Sequence, residues 1–220
     1  MRIISEKGFS PVCPSVLAVI HRSTIPAPSG LDCFPCMAPI PLICGLSAGP
    51  DYCGTAADVV FAGGTAWSNV TNAEGSTNWF GLAAAATVTI PALSDSDWLY
   101  FTNFGFALPA DAAVTGIMAE IMGQSSSTAT NVTHANLVIG GSTTGTNLAS
   151  TPKLIVSVPN PPAIVSFGNS SELWGTAVTG AQVNASNFGF AIVVHATALS
   201  SRTPSIFGAR VTVYYCSSLG

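Results

Sequence analysis

The residues best equipped for chemistry are the six cysteines, and five of them lie in the first quarter of the chain: Cys13, Cys33, Cys36, Cys44 and Cys53. "CFPC" (Cys33 to Cys36) has the spacing of a half zinc site or a redox dithiol. Structural zinc favours two such close pairs, and this stretch has one, so no metal is expected. A thioredoxin-type dithiol needs a βα setting that the surrounding prolines do not supply. Two readings stay open: disulfides within this stretch or out to Cys216, and reduced thiols buried as small hydrophobes. Of the histidines, His21 lies in the same stretch, while His134 and His195 sit in strand-like text without a nearby acid or nucleophile motif. They read as structural. Asp95 and Asp97 in "SDSDW" lack the oxygen-ligand series of a calcium loop and read as a turn. "GGSTTGT" lacks the Lys-Ser/Thr ending of a phosphate-binding loop. The expected function is therefore not enzymatic, and no cofactor is expected.

Binding asks for less than catalysis. Trp67, Trp79, Trp98 and Trp174 together with four tyrosines are enough for a sugar platform. Trp98 opens an apolar strand and Trp174 lies in an "LWG" turn, so both read as core anchors. Trp79, in the loop "GSTNWFG", is the expected exposed ring and the candidate for surface recognition.

The elements that must position these residues follow from composition. Only 7% of residues are charged and 48% are hydrophobic, against about 25% charged in an ordinary soluble domain. The apolar residues come in short runs among Ser, Thr, Gly and Asn, and none approaches the roughly 20 that a spanning helix needs. No membrane partner is expected. A surface so poor in charge does little to oppose association, which favours a homo-oligomer. Net charge is −4 and the six cations (Arg2, Lys7, Arg22, Lys153, Arg202, Arg210) are scattered. Nucleic acid is held by grouped cations, so it is not an expected partner.

The text changes character near Gly54. Residues 1–53 are rich in Pro, which fixes φ and removes a backbone donor. They read as an extended N-terminal arm without a core, anchoring to neighbouring subunits through "VLAVI", "CFPCM" and "PIPLIC", with its cysteines as assembly residues. "VCPSVLAVI" contains a Pro and is followed by His21 and Arg22, so it does not read as a cleaved leader. Residues 54–220 show strand alternation. In "ARVTVYYC", Ala209, Val211, Val213 and Tyr215 share one face; in "FGFAIVVHAT", Phe188, Phe190, Ile192 and Val194 do. "ATVTIPAL", "WLYFTNFGFAL", "AVTGIMAEIM", "HANLVIGG" and "KLIVSV" are further candidates, separated by turn residues. About eight short strands at this spacing predict an all-β fold, a jelly-roll-like antiparallel β-sandwich. The tetrapeptide "NFGF" occurs twice, at Asn103 to Phe106 and Asn187 to Phe190. Each copy reads as a strand start, in equivalent places of the two halves of the sandwich.

Read in order, "WSNVTNA" (Trp67 to Ala73), "NFGFALPADAAVTGIMAEI" (Asn103 to Ile121), "ELWGTAVTGAQVNASNFGF" (Glu172 to Phe190) and "RVTVYY" (Arg210 to Tyr215) form a series. It resembles the β-sandwich structural proteins of tailed phages and prophages. Val70 stands where that family commonly has Pro, and the arm has no counterpart there. The resemblance implies a virion component, such as a capsid decoration protein or a head or tail appendage, assembled in the host cytoplasm. It implies a homo-oligomer, commonly a trimer, with major capsid or tail proteins as partners, and it carries no catalytic residue across. The alternative readings are a receptor- or glycan-binding fibre-tip module and a self-polymerising extracellular fibre subunit.

Overall fold

Alternate residues of a strand point to opposite faces, so the strands of this chain sort their side chains into one shared interior and two outer faces. The computed structural model describes residues 41–218. One sheet runs β1 (Leu42–Tyr52), β11 (Pro204–Ser218), β5 (Ala113–Ser125), β9 (Ala163–Asn169), with β3 (Ala86–Thr87) also on β11. The other runs β2 (Thr55–Val59), β4 (Trp98–Thr102), β10 (Gly189–Ala196), β6 (Thr130–Ile139), β7 (Ser142–Thr144), with β8 (Lys153–Leu154) also on β6. Every pairing between these strands is antiparallel. The fold is the all-β, two-sheet antiparallel sandwich that the alternation predicts. From β4 to β6, and again from β9 to β11, the chain steps from one sheet to the other. Two short helices, α1 (Thr77–Gly81) and α2 (Gly180–Val183), sit in the connections.

The interior takes Leu99 and Phe101 from β4, Ile117, Ala119 and Ile121 from β5, Phe190, Ile192 and Val194 from β10, and Ala209, Val211 and Val213 from β11. Trp174 is fully buried and its Nε1 donates to the Ile117 carbonyl at 3.0 Å, so it is the core anchor its turn suggests.

The sandwich begins earlier than the sequence suggests. Leu42–Tyr52, placed by composition in the arm, is β1 and pairs along β11 from Leu42↔Ser218 to Tyr52↔Arg210. The one proline in this stretch, Pro50, sits at a bulge in the ladder, where its missing N–H costs no hydrogen bond. Cys44 is bonded to Cys216, 172 positions away, and so clasps the first strand to the last within one chain. Cys53 is not an arm residue either. It is fully buried, its thiol donates to the Ala73 carbonyl at 3.1 Å, and burial pushes its pKa up to about 12. Cys13, Cys33, Cys36, His21 and the rest of the arm to residue 40 lie outside the described residues.

The two NFGF copies are not equivalent. Asn103 (φ 58°) and Gly105 (φ 75°) are left-handed, so the first copy leaves strand β4 instead of opening one. The second leads into β10 at Gly189. The copies meet each other in the core, Phe104 stacking on Phe190 and Phe106 against Phe188, each with ring centroids 6.3 Å apart. Gly189 permits the approach, because a Cβ there would lie 1.8 Å from the Phe101 carbonyl oxygen.

Candidate functional site

Leu99 and Phe101 face inward, so Trp98, Tyr100 and Thr102 must face out of the six-stranded sheet. The register carries this outer face across the strands. Tyr100 pairs with Ala57 on β2 and with Ala191 on β10, and Ala191 pairs with Asn136 on β6. One step along, Val59 pairs with Trp98, and Val193 with His134. Ala191 and Val193 are fully buried without belonging to the core cluster. The larger side chains on either side cover them.

Those larger side chains are aromatic. Trp98 stands edge-on to Tyr100 (6.4 Å between centroids) and to His134 (5.7 Å). Phe61, from the loop after β2, leans on both Trp98 (5.6 Å) and His134 (5.2 Å). All four rings are half-buried, keeping part of their surface open to solvent. Asp97 holds the loop in place: its Oδ1 accepts from the Phe61 N–H at 2.9 Å and its carbonyl from Trp67 Nε1 at 2.9 Å. The turn expected at "SDSDW" is thus the brace that seats Phe61 on the sheet.

Polar groups flank the rings. His195, outward on β10, pairs through Nδ1 with Asp95 Oδ1 at 2.9 Å, which corrects the expectation that no acid lies near it. The acid comes from 100 positions away, beyond the reach of local text. Asn136 donates to the Gly145 carbonyl at 3.2 Å, and its amide oxygen accepts no hydrogen bond among the described residues. The face named here carries no Lys or Arg. No cluster of metal-ligating side chains occurs among the described residues.

Trp79, the ring expected to be exposed, is 4% accessible. Its loop folds as α1 onto the outer face of the other sheet. There the ring stacks 4.6 Å from the Arg210 guanidinium and stands edge-on to Tyr52 at 5.7 Å. Gly208 on β11 leaves the space for it, since a Cβ there would lie 3.3 Å from the indole. Trp98, expected in the core, is the surface ring instead. The alternation Leu99/Phe101 against Trp98/Tyr100 is the signal that separates the two cases.

Neither a protein-family model nor a curated protein matches the chain. Two solved structures are similar to it. One, described as "CBM4 structure and function", has a TM-score of 0.33 and 16% identity, over 61% of this chain and 84% of that one. The other is the N-terminal cellulose-binding domain of Cellulomonas fimi β-1,4-glucanase C, with a TM-score of 0.27 and 12% identity over 63% and 80%. Both are distant likenesses of a β-sandwich, too loose to assign a ligand, and the functional reading rests on the residues above.

Proposed function

We propose that this chain is a non-catalytic glycan-binding module and that the outer face of the six-stranded sheet holds the sugar. The observation that carries the reading is the aromatic cluster Phe61, Trp98, Tyr100 and His134 on an outer face with no Lys or Arg. Sugar rings present apolar C–H faces that pack against aromatic rings, while their hydroxyls need mixed donors and acceptors. Asn136, His195 and Asp95 supply these at the margins. A few fixed polar groups around an apolar platform are the usual composition of a small-ligand site.

The test is a neutral-glycan array probed with the full chain, followed by affinity measurements on the best ligand. Trp98→Ala and Tyr100→Ala should each weaken binding at least tenfold while the fold, read by circular dichroism, persists. Unchanged affinity in both variants would remove this face from consideration.

A second reading, a structural role in a phage-like particle, is supported by the ordered sequence series and by apolar side chains left exposed. Val60, Phe80, Ile164 and Leu199 are 80%, 73%, 45% and 86% accessible. The two readings combine in a receptor-binding module carried on a virion, whose partners would be copies of itself and other virion proteins. Co-sedimentation of the chain with purified particles tests the location separately from the sugar.

A further inference from the structure

The structure holds a cavity away from the aromatic face. It has a volume of about 300 Å³ and is lined by Ile139 at the end of β6 and Gly140 of the turn after it, by Ala181, Gln182 and Ala185 of α2 and the turn after it, and by Asn187. The nearest part of the aromatic face is the Tyr100–Ala191–Asn136 row, and Ala191 lies four residues from Asn187, about 13 Å of extended chain. The cavity shares no lining residue with that face.

The walls are fixed before any ligand arrives. Thr179 and Gln182 form a reciprocal cap: the Gln182 N–H donates to Thr179 Oγ1 at 3.2 Å, and the Thr179 N–H donates to Gln182 Oε1 at 2.9 Å. With its oxygen so engaged, Gln182 keeps its amide N–H groups available. Asn184 bonds both backbone groups of Leu108 (2.7 and 3.0 Å), which locks α2 to the segment after the first NFGF. The Phe188 N–H closes the turn on the Ala185 carbonyl at 3.0 Å. Asn187 is exposed at the rim, and its side chain takes no part in the hydrogen bonds among the described residues. Here the two NFGF copies diverge: Asn103 supplies a left-handed backbone, and Asn187 supplies an amide to a cavity.

We infer that this cavity is a binding site for one neutral sugar unit, either a free monosaccharide or the end of a glycan chain. Its size lies at the lower end of the ~300–1,000 Å³ range of ligand pockets, which suits a compact molecule. No ionisable side chain lines it, so a phosphate or carboxylate entering it would lose water without gaining a countercharge. Ile139, Ala181 and Ala185 offer an apolar wall, and the two carboxamides offer donors and an acceptor. A pyranose ring with its hydroxyl or acetamido groups matches that division. The inference stands apart from the sheet-face reading.

The experiment is a ¹⁵N amide NMR titration of the full chain with glucose, N-acetylglucosamine and glucuronate. At least one neutral sugar should give saturable shifts at Gly140, Ala181, Ala185 and Asn187, and glucuronate should bind at least tenfold more weakly. Ala181→Trp, at an exposed position, should fill the cavity and abolish these shifts; Asn187→Ala should weaken binding at least threefold; Trp98→Ala should leave it unchanged. A trisaccharide of the responding sugar, compared with the monosaccharide, tells a chain end from a free sugar, and either supports the site. The inference is overturned by no saturable shift with either neutral sugar, by equal binding of glucuronate, or by shifts that survive Ala181→Trp in a folded protein.

Discussion

The outer faces of the two sheets each carry a row of four side chains across four strands, and the rows differ in charge and in what lies over them. On the five-stranded sheet the row is Tyr52, Arg210, Glu120, Ser166. Arg210 Nε donates to Glu120 Oε2 at 2.7 Å, and Ser166 Oγ donates to Glu120 Oε1 at 3.2 Å. Desolvation opposes the Arg210 charge, but Glu120 and Tyr52 outweigh it and its pKa moves up. Trp79 then closes the row from above. On the six-stranded sheet the row is Ala57, Tyr100, Ala191, Asn136, without charge and without a covering helix. A buried charge needs its partners, and here Glu120 is buried beside Arg210, whose side chain keeps 21% of its surface accessible under the cover of Trp79. The uncharged row carries no such demand, and Tyr100 with its neighbour Trp98 keeps part of its ring surface open to solvent. The same residue type, tryptophan, is therefore buried over one sheet and half-exposed on the outer face of the other.

Four perturbations would break or sharpen that contrast. Trp79→Ala removes the buried ring and should cost about 3–5 kcal/mol of stability, measured by urea denaturation, without changing glycan affinity. An equal loss of affinity would mean that the faces are coupled. Replacing Cys44 and Cys216 together by Ser frees β1, the edge strand beside the ionic row, and should cost about 2–4 kcal/mol. The same shift in the melting curve should follow reduction of the parent chain. Glu120→Gln leaves Arg210 without its countercharge beneath Trp79 and should cost about 1–3 kcal/mol. Raising salt should not mimic that loss, because a pair this shielded is poorly screened. Trp98→Ala, on the open face, should cost only about 1 kcal/mol of stability while its affinity loss is the largest of the four. A stability loss as large as that of Trp79→Ala would instead make Trp98 a second structural ring.

Much of this was legible in local text. Period-two alternation in "ARVTVYYC" and "FGFAIVVHAT" assigns the inward sets correctly, because every strand must bury one face whatever its partner. It also contained the correct side for Trp98, which the apolar character of "WLYFT" obscured. "KLIVSV" delivered only Lys153–Leu154 as strand, since β8 pairs with β6 over just two residues before the chain turns away. "NFGF" advertised aromatic packing without saying that the copies would pack on one another.

Composition and alternation by themselves determined an all-β sandwich with a charge-poor surface, because burial of alternate apolar side chains is a local requirement. Only the tertiary structure decided where the sandwich begins, that Cys44 meets Cys216, that Asp95 meets His195, and which tryptophan is covered. Each of those depends on residues about 100 or more positions apart being brought together, or on one loop folding over one face and not the other. Strand registry and loop closure set them, and neither is encoded in any short stretch of the chain.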